Sequence, residues 1–410
     1  FLAVEDIHGQ SFFDLKHMSQ KNTEFEMIED AESLARFYEL NRSVPWMAFD
    51  TEFVGEKRFR TLICLIQVST ENGSYLIDPL QLDHIDPILE MLANPDILTI
   101  THAGENDFRL IYLEFNVLPQ NLFDTQVAAG FLGYKYPVSF ARLLESELRV
   151  TLSKGYAVTD WETRPIKARQ LRYALNDVIY LKELYDKMSS RLKNLGRMSW
   201  LGEELKTFEQ ASFYTRHPLK EILASNIFHN LKPKEQFFLL RLHRWRNSEA
   251  ERLNYSREMI LSSKHINPIV KTIHAGPEAL RSNRRLPEKV IKKHGERFLA
   301  LYKAEPEVEE INLLAQVPKP GGENPRQDLI LEMLHLLIRY KCLDEQIAPS
   351  LVLPRGVLKR LKAAPTGLDE SLEAGWRRAF LGDQILRWLE HRTQLRIVFA
   401  DDRFEITLEE

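Results

Sequence analysis

Runs that read as β-strands crowd roughly the first 125 residues of this 410-residue chain and nearly vanish beyond about residue 195. No other feature limits the fold as much, because strand and helix periods bury apolar side chains on different faces. WMAFDTE, TLICLIQVS and GSYLIDP come first, and the break ENGS between the last two reads as a hairpin turn. The pattern then turns helical in HIDPILEML, strand-like in ILTI, helical in DFRLIYLEF, strand-like in NLFDT, and helical thereafter. Antiparallel strands followed by β-α-β alternation predict an α/β domain with a mixed sheet flanked by helices. A helix is expected over DAESLARFYEL, and residues 1–25 form a polar, irregular arm.

The later residues divide by charge. Residues 1–217 carry a net charge of −9, residues 218–303 of +10, and residues 304–410 of −5. A basic helical segment between acidic ones suits contact with a polyanion, although solvated helices carry such charge as well. The chain thus divides into an arm (1–25), an α/β domain (26–195), a connector (196–230), a basic helical module (231–304), a linker rich in Glu, Pro and Gly (305–324) and a second helical module (325–410). The tail RIVFADDRFEITLEE alternates like a strand. The two cysteines, Cys64 and Cys342, form neither a metal motif nor a disulfide framework, and a reducing cytoplasm is expected. Apolar runs are too short to span a bilayer, so no membrane partner is expected. Phe1-Leu2-Ala3-Val4 is not followed by a signal-peptide core. A G-K-[ST] phosphate loop is missing, which argues against nucleoside triphosphates as partners.

Five side chains carry the chemistry. Asp50 and Glu52 lie two residues apart in FDTEF, and so share one face of a strand. Tyr173 and Asp177 lie four apart in LRYALNDV, and so share one face of a helix. Asp107 opens a helix after THAGEN. Taken singly, a D-x-E or a Y-x-x-x-D is commonly surface charge. Together, four hard oxygen ligands near buried apolar runs suit Mg²⁺ or Mn²⁺ rather than zinc.

In order and context these segments resemble the three exonuclease motifs of the DEDD superfamily, in its tyrosine branch. FDTEF, LICLIQVS, YLIDPL, THAGENDFRLI, LFDTQVAAGFLGY, DWETRPI and RQLRYALNDVIYL resemble the ribonuclease D family in particular, over about residues 25–195. LRLHRWRNSEAERLN resembles the first helix of an HRDC domain; the usual Pro before the following segment is absent, and Tyr255-Ser256 stands instead. The resemblance implies a ribonuclease H-like mixed-sheet exonuclease domain followed by two small all-α HRDC-like domains, the second with a packing role and some substrate contact. It implies two divalent ions: Asp50 bridging, Glu52 and Asp177 completing one site, and Asp107 holding the other. Tyr173 would orient the attacking water, since an ordinary phenol, with a pKa of about 10, is a poor base at neutral pH.

The implied activity is 3′-to-5′ removal of 5′-mononucleotides from RNA with a free 3′ end, such as tRNA precursors, by a monomer. A DNA exonuclease and an RNA-binding scaffold with a vestigial site are the alternatives. Phe53 and Phe108 are candidate wedges for the terminal bases. His102 either contacts substrate or fixes its turn. Trp161 either stacks on a base or anchors its loop. Arg164, Lys167 and Arg169 contact phosphates or cap helix ends. Asp124 reads as a helix cap behind the site, and Asp78-Pro79 as turn chemistry.

Overall fold

A computed structural model describes residues 24–152, 160–215, 219–223, 225–315, 317, 325–363, 369–391, 395–400 and 403–408. Residues 1–23 of the expected arm, 153–159 of the expected loop before Asp160, and 318–324 of the expected linker lie outside the described residues.

Six strands form one sheet in the order β1 (Glu26–Ile28), β4 (Gly73–Ile77), β3 (Leu62–Thr70), β2 (Trp46–Val54), β5 (Leu98–Thr101) and β6 (Leu122–Asp124). The pairs β2–β3 and β3–β4 are antiparallel, whereas β1–β4, β2–β5 and β5–β6 are parallel. The sheet is therefore mixed, with the D-x-E strand inside it. Thr70 pairs with Gly73, which leaves Glu71-Asn72 as a two-residue hairpin turn. Strand β1 was not expected; three residues at a sheet edge are too few to display alternation.

Around the sheet stand α1 (Ala31–Asn41), α2 (Asp86–Leu92), α3 (Glu105–Phe115), α4 (Thr125–Phe131), α5 (Phe140–Leu148), α6 (Ala168–Ile179), α7 (Leu181–Asn194) and α8 (Met198–Leu205). Asp30 caps α1, its carboxylate accepting from Ser33 N at 2.8 Å. The single long helix expected around Tyr173 is two helices, broken at Tyr180. Helix α6 lies against β2, β3 and β4, whereas α7 reaches β5 and α4. The break lets one apolar stretch follow a twisting sheet.

Beyond residue 205 the ordered elements are almost all helical. Short helices α9 (Ala211–Tyr214), α10 (Lys220–Leu223) and α11 (Asn226–His229) lead to α12 (Pro233–Leu253), α13 (Arg257–Ile260), α14 (Ser263–Thr272), α15 (Pro277–Ser282) and α16 (Glu288–Lys303). Within the expected linker, residues 308–315 form α17 (Val308–Ala315). Its Glu310 is buried against Arg241 of α12, Nε to Oε1 at 2.8 Å. One buried cluster, from Leu219 to Phe298 with Leu313, Leu314 and Val317 packed on it, forms the core of this unit.

The C-terminal helices are α18 (Pro325–Glu345), α19 (Pro349–Val352), α20 (Arg355–Ala363), α21 (Glu370–Glu373) and α22 (Gly375–His391). They do not build a separate core. Leu334, Ile338, Leu351, Trp376 and Phe380 belong to the same buried cluster as Phe49, Ile100 and Phe131 of the sheet domain. Trp376 meets Phe131 edge-on at 4.8 Å, and Ala348 N donates to Gly130 O at 2.8 Å. A Cβ on Gly130 would meet Leu351 Cδ1 at 2.3 Å, so a larger residue there would have to displace the Leu351 side chain. The alternating tail forms the hairpin β7 (Leu395–Ala400) and β8 (Arg403–Leu408).

The basic unit carries a titratable group in its interior. Burial, followed by the charges of Arg246 and Arg257, lowers the His243 pKa from 6.5 to about 4. A depressed imidazole pKa favours the fold above the unfolded value, and that contribution is lost as pH falls from about 6.5 towards 4. Partial exposure limits the loss to about 1–2 kcal/mol. Urea unfolding at pH 7 and pH 4.5 should show a smaller pH difference for His243→Gln than for the parent. Equal differences would remove His243 as the cause.

Candidate active site

Each acidic side chain is aimed by the element that carries it. Asp50 and Glu52 alternate along β2 and emerge on the face that α6 crosses. Tyr173 and Asp177 project from α6 one turn apart. Strand β5 pairs with β2 only at Trp46–Ala48 and ends at Thr101, so β2 runs on beyond it. The first turn of α3 stands beside that free stretch, where Thr51 Oγ1 donates to Asp107 Oδ1. One strand and two helices thus bring the five predicted side chains together.

Their electrostatics record the proximity. Burial, then the charges of Asp107, Asp177 and Glu52, push the Asp50 carboxyl well above its ordinary range. Burial, Asp177 and Asp107 push Glu52 up to about 8. Asp177 is raised to about 7 by burial and Asp107, and Asp107 to about 6, chiefly by burial. The Tyr173 phenol is raised as well, by burial and then by Asp177, Glu52 and Asp50. It therefore stays protonated at neutral pH.

Such a group of acids is costly without a cation. Among the described residues, no three acids or imidazoles already close up as a metal-ligand set. The donor chemistry nevertheless fits a hard divalent ion and its water: several carboxylate oxygens, and one buried amide lacking a partner. That amide belongs to Gln67, the cross-strand neighbour of Asp50, which is fully buried with neither side-chain polar atom hydrogen-bonded.

The turn before α3 is held by Asp124. Its carboxylate accepts from Gln126 N at 2.8 Å, capping α4, and from Ala103 N and Gly104 N at 3.1 and 3.0 Å. Ala103 has a left-handed φ of 61°, and a Cβ on Gly104 would meet Thr101 Oγ1 at 2.8 Å. Local sequence revealed the cap. It carried no sign of the second role, whose donors lie about twenty residues away. Asp124→Asn turns an amide towards N–H donors and should cost about 1–3 kcal/mol. Thermal unfolding of the variant, with activity at saturating substrate, checks this; an unchanged melting temperature would deny the clamp.

One expected contact is corrected, and readings left open at other positions are narrowed. Phe108 is fully buried, stacked on Phe49 with ring centroids 6.2 Å apart, because its position on α3 faces the core. It cannot wedge a base. Trp161 is buried 6.4 Å from the Tyr173 ring, so it anchors its loop rather than stacking on a base. His102 holds its turn, with Nδ1 at 2.9 Å from Thr125 Oγ1 and Nε2 at 3.1 Å from Val138 O. Phe53, next to Glu52, is exposed as a substrate contact requires. Arg164 neither meets a phosphate nor caps a helix: its Nε and Nη2 reach Asp78 at 2.5 and 2.7 Å, and Nη2 also reaches Cys64 O. Asp78 is correspondingly more than turn chemistry.

A family model described as 3′-5′ exonuclease matches residues 25–193, and one described as HRDC domain matches residues 237–302. Fold and site thus define a 3′-to-5′ exonuclease joined to an HRDC module. Ribonuclease D of Sphingobium indicum is 31% identical over 386 residues, covering 93% of this chain and 98% of the relative. The crystal structure of Escherichia coli RNase D, described as an exoribonuclease involved in structured RNA processing, superposes with a TM-score of 0.77. It is 26% identical, over 89% of this chain and 98% of that one. A protein from Bifidobacterium adolescentis shares the fold, with a TM-score of 0.65 at 22% identity, over 89% of this chain and 96% of its own. The chain belongs to the ribonuclease D family, and is a 3′-to-5′ exoribonuclease dependent on divalent metal.

Proposed function

We propose that Asp50, Glu52, Asp107 and Asp177 hold two divalent ions, Mg²⁺ or Mn²⁺, and that Tyr173 orients the attacking water. The observation that carries this reading is the convergence of four carboxylates from β2, α3 and α6, where burial raises all four and neighbouring site acids add to it for Asp50, Glu52 and Asp177. When bound, the ions activate water and offset charge on the departing 3′ oxygen. The residues do the rest. Asp50, beside the other three acids, would be central to holding the ions. The protonated Tyr173 hydroxyl aligns the water and is too weak an acid to act as the base. Phe53 supports the last base.

The natural substrates on this reading are tRNA precursors and other structured RNAs with free 3′ ends, released as 5′-mononucleotides. The chain acts as a monomer in the cytoplasm, a setting that suits its two buried free cysteines. The HRDC unit is set at about residues 219–317, wider than 231–304, because the buried cluster and α17 extend that far. Residues 325–410 form the second HRDC-like set, serving to pack. None of the described helices is long and apolar enough to cross a membrane. End-labelled RNA and DNA, digested with Mg²⁺, Mn²⁺ or EDTA, test the reading. Stepwise 3′ shortening of RNA that stops in EDTA is expected. Activity surviving EDTA would remove the metals, and faster digestion of DNA would favour the DNA alternative.

A further inference from the structure

The HRDC unit touches the exonuclease domain at a place that bears on the site. Between them opens a cleft of about 1060 Å³, with Arg58 and Arg60 on one wall and Arg246 and Glu251 on the other. The turn between α12 and α13 crosses it and meets Gly55–Thr61, the loop that continues β2 beyond Glu52. Ser256 N donates to Lys57 O at 3.0 Å, and Arg60 N donates to Asn254 Oδ1 at 3.0 Å. The Arg257 guanidinium lies 5.8 Å from the centre of the Phe59 ring.

From that loop the contacts run inward. Arg58 Nη2 reaches Glu162 Oε2 at 2.6 Å, and both side chains are about one-third exposed. Glu162 follows Trp161, which packs on Tyr173. Trp161, Tyr173, Val54 at the end of β2, and Ile166 belong to one small apolar cluster. The HRDC turn therefore holds a loop fixed at one end to the D-x-E strand and, through Arg58, to the residue beside the aromatic support of Tyr173.

We propose that Asn254, Ser256, Arg58 and Glu162 form a latch through which the docked HRDC unit positions Tyr173 and the end of β2 for hydrolysis. The unit then acts on the chemical step, beyond any grip on RNA. This deepens the proposed function and rests on that assignment of Tyr173. The latch uses a backbone N–H at Ser256, which a proline there would remove. Asn254 suits its part, since its φ of 50° is left-handed, a conformation asparagine adopts readily.

Ser256 offers a narrow test. Its φ of −60° is that of a proline, so Ser256→Pro removes the N–H with the backbone already in place. Asn254→Gly removes the acceptor of the Arg60 N–H and keeps the left-handed φ. The readouts are kcat and KM on a trinucleotide, compared with long RNA, and hydrogen–deuterium exchange of the metal-free protein. We expect the double variant to lose about tenfold in kcat with KM nearly unchanged, since small misplacements at a site cost rate. Exchange should rise in residues 55–61 and 160–166. Arg58→Glu should lower kcat similarly, and adding Glu162→Arg should restore it. If the double variant folds poorly, Ser256→Pro alone and the charge reversal decide. Unchanged kcat on the trinucleotide, with KM rising only for long RNA, would overturn the latch. A parent enzyme inactive with every metal would sink the proposed function instead, and exchange would then still report on the latch: unchanged protection of residues 160–166 would refute it.

Discussion

Asp50→Asn is expected to lower kcat by about 10³–10⁴-fold, because on the proposed two-metal reading the loss of this ligand forfeits several kcal/mol of transition-state stabilisation. The loss should fall on the rate. RNA affinity, measured by fluorescence anisotropy, should stay within about twofold of the parent, because the basic face of the HRDC unit is untouched. The metal-free variant should melt no lower than the parent. Asp50 is crowded by Asp107, Asp177 and Glu52, and removing its charge relieves that repulsion. Constant or raised stability combined with lost activity separates a reacting carboxylate from a structural one. A variant with near-parental rate would exclude Asp50 from the chemistry. One that is inactive and also melts much lower would point to a structural role.

Trp376→Ala should destabilise the exonuclease domain itself, by about 3–5 kcal/mol. Trp376 lies in sequence far from that domain's motifs, yet it is almost fully buried against Phe131 and Trp200. Its backbone N–H donates to Glu203 Oε2 at 2.9 Å, and its indole N–H to Glu204 Oε2 at 2.8 Å. Truncation leaves a cavity at the seam and takes the indole donor from Glu204, while the backbone N–H to Glu203 remains. Calorimetry should show one shifted transition that includes the exonuclease domain, while the HRDC unit, with its separate core, melts where it did before. A low-temperature transition confined to the C-terminal helices, with the main one unmoved, would mean that the seam is only a surface contact.

The site was more legible in the sequence than its surroundings. Alternation in FDTEF and the four-residue step from Tyr173 to Asp177 are local facts, and local periodicity survives folding. The sheet strands followed for the same reason, apart from β1. What stayed hidden depended on long-range packing. Nothing near Phe108 tells that its side of α3 faces Phe49, whereas for Trp161 the sequence offered the loop-anchoring reading beside base stacking and the packing decides between them. Arg164 stayed open between a phosphate contact and a helix cap because its actual partner, Asp78, is 86 residues away. The break at Tyr180 was missed because helical periodicity continues across it. The acidic C-terminal helices were read as serving to pack, but only the structure shows them completing the same core as the sheet.

That shared core has a consequence for synthesis. The chain leaves the first core near Tyr214, builds the HRDC unit, and returns at Leu331 to finish what it left. On a ribosome, the HRDC unit can complete its interior while the catalytic domain still exposes the faces that α18, α19 and α22 will cover. A chain that stops early therefore carries every acid of the site without the packing that steadies it, and its uncovered apolar faces mark it for chaperones and proteases. Nuclease competence arrives last, in a molecule already equipped with its basic module.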